Sequence, residues 1–326
     1  MLRTWTMALT LAAACLALAH ASTTQAQQDY PGKPIRMVVP YPTGGTPDIL
    51  ARLVGQKLSD NWAQPVIVDN RPGGNTVIGT EVVYKAQPDG YTLLSMSGAH
   101  VTTPLLTATP YDAIRDFAPV ATLAVSEFVL VVHPSVAAGN LKELIALAKS
   151  RPGQLNFASS GSAGTPHLAG ELMNAMAGIR MQHVPYKGMG PAVTDLIGGQ
   201  VQLAFAPPVN FIAHIRSGKL KAIAISGDTR SSALPQVPTF AEAGLPSFEA
   251  RSWYGVLAPA GTPTPIVNKL SAEIGRIVNL PEVREKLVGQ GADPLVSTPE
   301  RFAAMMKADA SRMANVIKNA NIRLDN

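Results

Sequence analysis

The sequence predicts an α/β protein of two lobes, and three observations carry that prediction. Apolar strand-like runs alternate with helical patterns along almost the whole chain, the signature of parallel sheets covered by helices on both faces. At 326 residues the chain exceeds the usual size of one hydrophobic core, so two domains are expected. No low-complexity linker divides it; instead two extended apolar segments, 117–132 and 248–258, are placed to cross between the lobes.

In chain order, residues 1–26 have the layout of a secretory signal: Arg3, an uncharged apolar run over 7–18, then small and polar residues. The run is too short to span a bilayer. Cleavage after Ala26 leaves Gln27 first, and cleavage after Ala21 is the competing choice. Either way the mature chain is expected in the periplasm. In a lipoprotein reading Cys15 would be acylated, but Ala12 stands where a leucine is usual and the apolar run continues to Leu18. Loss of Arg3 lowers the formal charge from +5 to +4.

Buried strands are expected at 35–39, 66–68, 92–96, 129–132, 181–184, 201–205 and 221–225, with another short one entering the loop at 159. Helical patterns fall between them at 48–59, 77–86, 141–150, 166–177 and 191–197. The tail reads as three amphipathic helices, 265–279, 281–290 and 299–320, each beginning near a proline. The expected division is residues 27–126 with 252–326 in one lobe and 127–251 in the other.

Two segments share one grammar. IRMVVPYPTGGTPDILAR begins at Ile35 and LNFASSGSAGTPHLAGE at Leu155; each is a strand, a Gly/Ser/Thr loop, and a helix opened by Gly-Thr-Pro. Thr46 and Thr165 fit the N-cap, and Pro47 and Pro166 fit the first helical position. Gly44, Gly45, Gly161 and Gly164 let the backbone turn and approach a ligand, while free amides and hydroxyls at a helix start favour an anion. A third Gly-Thr-Pro at 261–263 shows that one copy alone is only helix-start grammar.

Composition excludes several classes. The mature chain has no cysteine, so neither disulfides nor a thiolate metal site is available. His100, His133, His183 and His214 lack spaced ligand partners, and neither a metal nor a cofactor is expected. Basic residues are scattered and no aromatic-interleaved stripe is present, which argues against nucleic acid.

Taken together, five blocks resemble the periplasmic solute-binding receptors of tripartite tricarboxylate transporters, the Bug family. They are YPGKPIRMVVPYPTGGTPDILAR, DNRPGGNTVIGTEVVYKAQPDGYTLL, FASSGSAGTPHLAGELMNAMAG, HVPYKGMGPAVTDLIGGQVQLAF and SWYGVLAPAGTP, from Tyr30 onward in that order. The resemblance implies a type II periplasmic-binding-protein fold, two α/β lobes joined by two crossover strands, that closes on a small organic carboxylate. It implies delivery to cognate membrane permease subunits, and a monomer is expected. Carried onto matching positions, it points to Tyr41, Thr43, Gly44, Gly45 and Asp48 in one lobe and Ser159, Ser160, Gly161, Ser162, Gly164 and Thr165 in the other. One departure is Ala206-Pro207-Pro208 after Phe205, where the family often has an acidic residue; a plainer or bulkier acid is then expected.

Other residues carry two readings each. Asp48 complements the helix dipole or meets a ligand hydroxyl, ammonium or water. His167 is a helix-start residue or a ligand contact, and Tyr186 is a solvated loop residue or a group at the cleft rim. Trp253 and Tyr254 pack the hinge or wall the cleft, and Arg71 stabilises a turn or clamps the ligand. Two alternative functions stand beside the receptor. In an exported hydrolase Ser160 or Ser162 would work with His167, yet neither serine lies in a G-x-S-x-G elbow. A sensor feeding a signalling system would use the same binding physics.

Overall fold

The computed structural model describes residues 30–162, 164–319 and 322; the leader read at 1–26, with Cys15, lies outside them. In order the elements are β1 (Ile35–Val39), α1 (Thr46–Trp62), β2 (Val66–Asn70), a 3-10 turn (Gly74–Thr76), α2 (Val77–Tyr84), β3 (Thr92–Ser97), α3 (Ala99–Leu106) and β4 (Phe117–Glu127). There follow β5 (Val129–Val132), α4 (Leu141–Ser150), β6 (Asn156–Ser159), α5 (Thr165–Ala177), β7 (Gln182–Pro185), α6 (Met189–Ile197) and β8 (Leu203–Ala206). A second 3-10 turn (Pro208–Asn210), α7 (Ile212–Arg216), β9 (Lys221–Ile225), β10 (Arg251–Pro259), α8 (Thr264–Val278), α9 (Pro281–Gly289), β11 (Asp293–Pro294) and α10 (Pro299–Asn319) complete the chain.

Two sheets repeat one topology. The first has the order β11-β4-β10-β3-β1-β2 and the second β7-β6-β8-β5-β9. In each, an interior strand runs against two parallel neighbours: β10 is antiparallel to β3 and β4, and β5 is antiparallel to β8 and β9, while the two-residue β11 adds an antiparallel edge to β4. The first strand of each unit, β1 or β6, pairs in parallel with two neighbours. The repeated loop grammar therefore sits at equivalent places in two equivalent sheets.

Alternation along the strands feeds a core on each face of each sheet. Ile35, Met37 and Val39 pack with α1, α8 and α9, whereas Val38, Leu94 and Met96 pack with α10. In the second sheet Leu130, Val132 and Phe157 face α4 and α5, while Val129, Val131 and Ala158 face α6. Only Phe128 separates β4 from β5, and its N–H donates to Ala250 O at 3.0 Å, so the two crossings between sheets run side by side.

Two local expectations need correction. Gly45 and Gly164, not the threonines, are the N-caps, in extended backbone, with Thr46 and Thr165 as first helical residues and the prolines second. The Thr46 side chain makes no capping bond. Helix α3 has no counterpart in the sequence reading; its Val-Thr-Thr run, internal Pro104 and lack of a side-chain cap hide it.

Candidate functional site

The parallel strands of both sheets end toward one crevice, the location where open α/β sheets bind ligands. A cavity of about 250 Å³ lies there. The loop after β1 contributes Tyr41, Pro42, Thr43, Gly44, Gly45, Thr46 and Pro47, and the loop after β6 contributes Ser160, Gly161, Ser162, Gly164, Thr165 and Pro166. The two loops with matching grammar face one shared space.

The starts of α1 and α5 supply donors. The amides of Thr46 and Thr165 have no acceptor among the described residues, as first-turn amides of a helix leave them. Each following proline removes one further N–H. No Asp, Glu, Lys, Arg or His side chain lines the cavity among the described residues, so a charged guest meets only dipoles, amides and hydroxyls. Phe128, Met189, Ala206 and Pro207 add apolar surface.

Side chains behind the loops fix their shape. Asp48 is buried; its carboxylate accepts from Gly44 N–H at 2.9 Å, Arg52 Nε at 3.0 Å and Asn70 Nδ2 at 3.0 Å. Burial pushes its pKa up, but the bonds from Arg52, Gly44 and Asn70 outweigh that and hold it below the usual carboxylate value. Asn70 Nδ2 also donates to Tyr41 O at 3.1 Å, and the Tyr41 and Ser97 hydroxyls share a bond of 2.6 Å. Asp48 thus braces the first loop from behind and does not line the cavity.

The second loop has a corresponding brace. Ser159 Oγ donates to Gly161 O at 2.8 Å and lies 2.6 Å from His183 Nε2. One hydroxyl carries one proton, and a carbonyl can only accept, so His183 Nε2–H must donate to Ser159. His183 then cannot act as a base toward that serine. Desolvation, with His167 beside it, pushes its pKa down to about 3, which also removes its basicity. The His167 ring stacks on His183 with centroids 3.8 Å apart, buried behind the loop.

Of the residues singled out in the sequence, Tyr41, Thr43, Gly44, Gly45, Thr46, Ser160, Gly161, Ser162, Gly164 and Thr165 line the cavity. Asp48, Ser159, His167, Tyr186 and Trp253 do not. The Tyr186 hydroxyl donates to Asp195 at 2.7 Å and is pushed up to about 12, by desolvation and then by that carboxylate. Trp253 packs on Phe302 and its Nε1 donates to Asp309 at 3.0 Å. Arg71 pairs with Asp69, and the third Gly-Thr-Pro opens α8 away from the cavity.

Sequence reasoning did not single out Asn75, Thr76, Ser97, Thr103, Asn210 or the 188–191 turn, all of which line the cavity. The Gly-Met-Gly-Pro run at 188–191 repeats the glycine-then-proline helix start and was a usable signal. Asn75 and Thr76 hold left-handed backbone, φ 51° and 78°, which costs non-glycine residues about 1–3 kcal/mol each. Gly161 sits at φ 141°, a backbone that disfavours any side chain, and a β-carbon there would lie 3.0 Å from Asn75 Oδ1.

Among the described residues no helix is long and apolar enough to cross a membrane, and no cluster of three or more His, Cys, Asp or Glu side chains is placed to hold a metal.

The profile of the tripartite tricarboxylate transporter family receptors matches residues 50–322. Protein BugT of Bordetella pertussis is 39% identical over 298 residues, 90% of this chain and 91% of that protein. A structure of R. palustris Rpa4515 with adipate superposes with a TM-score of 0.87 at 34% identity, covering 90% of this chain and 99% of the other. MatC of Rhodopseudomonas palustris with bound malate gives 0.83 at 32% identity, covering 88% and 100%.

Proposed function

The chain belongs to the tripartite tricarboxylate transporter receptor family, and from that premise we propose that it is a periplasmic receptor for a small organic carboxylate. It captures the acid between two lobes, residues 27–126 with 252–326 and residues 127–251, closes, and hands it to cognate permease subunits. It performs no covalent chemistry and works as a monomer. One observation carries this reading: the uncapped first-turn amides of Thr46 and Thr165 border one cavity that, among the described residues, no charged side chain lines.

The energetics are sufficient. Micromolar affinity needs about −8 kcal/mol, and each hydrogen bond to a charged group contributes roughly 1.5–3 kcal/mol. Four to six well-aimed donors, about that number being present in the two loops, reach this range after ordering costs. Binding couples to closure because only the closed form brings both loops onto one guest. The relatives solved with adipate and malate support the ligand class; the leader layout of residues 1–26 supports the compartment. The hydrolase alternative is disfavoured because the Ser159–His183 pair behind the loop has its histidine as donor.

A thermal-shift screen of the mature protein against an organic-acid library tests the proposal. A ligand at a hundred times its Kd stabilises the native state by about 2.7 kcal/mol. A flat response to every acid, or turnover of a library ester, contradicts it.

A further inference from the structure

The Gly74–Thr76 turn belongs to neither of the two loops that the receptor reading rests on, yet it is the most strained backbone at the cavity. Three consecutive residues there, Gly74, Asn75 and Thr76, have positive φ of 55°, 51° and 78°. Threonine is β-branched and poorly suited to that region, so the surrounding structure must impose it. Thr103 does so in part, its hydroxyl donating to Asn75 O at 3.2 Å. Strain of this kind, once observed, points toward function.

A second observation is independent of the first. Thr76 lines the cavity at 8% exposure, and its hydroxyl is buried with no hydrogen-bond partner among the described residues. A buried hydroxyl without a partner is costly and is seldom kept unless something completes it. We propose that the Thr76 hydroxyl is a specificity-determining contact that donates to an oxygen of the bound carboxylate compound, making this turn a third wall of the binding site. The inference rests on the receptor reading and extends it to a residue outside the repeated loops. Asn75 Oδ1 lies 3.0 Å from where a β-carbon at 161 would stand, so the turn meets the second loop beside Thr76.

Thr76→Val tests this cleanly. Valine keeps the β-branch, hence the same backbone strain, and removes only the hydroxyl. Since that hydroxyl has no protein partner, the unliganded variant should melt at the same temperature as the wild type or higher. Titration calorimetry with adipate, malate and benzoate in turn supplies the probes. For whichever of them the wild type binds, Thr76→Val should weaken binding about tenfold or more, and Thr76→Ser should restore it to within about threefold. Equal affinity in Thr76→Val overturns the inference. So does a melting temperature that falls in Thr76→Val and is recovered in Thr76→Ser, since the hydroxyl would then be structural. If none of the three binds, the acid giving the largest thermal shift replaces them as probe; an organic-acid library without any binder sinks the receptor reading itself, and this inference with it.

Discussion

Gly188 and Pro42 meet across the cleft: a β-carbon built on Gly188 would lie 2.9 Å from Pro42 Cγ. Pro42 is in the loop after β1 of the first sheet, and Gly188 caps α6 beside the second. A rigid proline ring cannot give way as a flexible side chain would. Gly188→Val should therefore prop the lobes apart, and its φ of 115° with ψ of 168°, a region almost confined to glycine, adds about 1–3 kcal/mol of backbone strain. Small-angle scattering checks this. Saturating ligand should shrink the radius of gyration of the wild type and leave the variant unchanged; equal compaction would remove Pro42–Gly188 from the closed interface.

Asp48 should act on the loop and not on the guest. Replacing it with asparagine keeps the shape but removes the charge that gathers Gly44, Arg52 and Asn70. A loss of about 1–3 kcal/mol in stability is expected, with weaker binding of all acids alike. A change in ligand preference at unaltered stability would place Asp48 in contact with the guest.

Ser159→Ala leaves Gly161 O and the His183 Nε2–H without their partner. The variant should lose about 1–3 kcal/mol in denaturant unfolding and bind more weakly. Neither it nor the wild type should cleave p-nitrophenyl esters; serine-dependent turnover would revive the hydrolase reading.

Acid should destabilise the protein through two histidines held neutral. Desolvation depresses His183 to about 3 and His100 to about 4, against an ordinary 6.5. Below that ordinary value the unfolded chain takes up protons that the folded chain refuses, so stability is complete above about pH 6.5 and falls as pH drops toward 4 and then 3. Urea midpoints between about pH 7.5 and 4.5 should fall, and His183→Gln should flatten the slope. An unchanged slope in that variant would mean His183 titrates normally.

Much of this was legible in the chain, for identifiable reasons. The strand, loop and helix around Thr46 and Thr165 are contiguous, so local grammar exposed them. What escaped depends on phase or on distance. Trp253 and Tyr254 are adjacent on β10 and point to opposite faces; the sequence flagged the pair, but only the register with β3 and β4 puts Tyr254 at the cavity and Trp253 against Phe302. Asp48 looked like a ligand residue because its partner Asn70 lies 22 positions away. The left-handed backbone at Asn75 and Thr76 is imposed by tertiary contacts, so no local propensity announces it.

The central claim is that helix starts from both lobes grip one carboxylate, and a crystal structure of the protein with the acid giving the largest thermal shift tests it most directly. The account predicts carboxylate oxygens about 2.7–3.2 Å from the amides of both Thr46 and Thr165. A carboxylate bound outside this crevice, or held by one lobe with the other loop turned away, would contradict it.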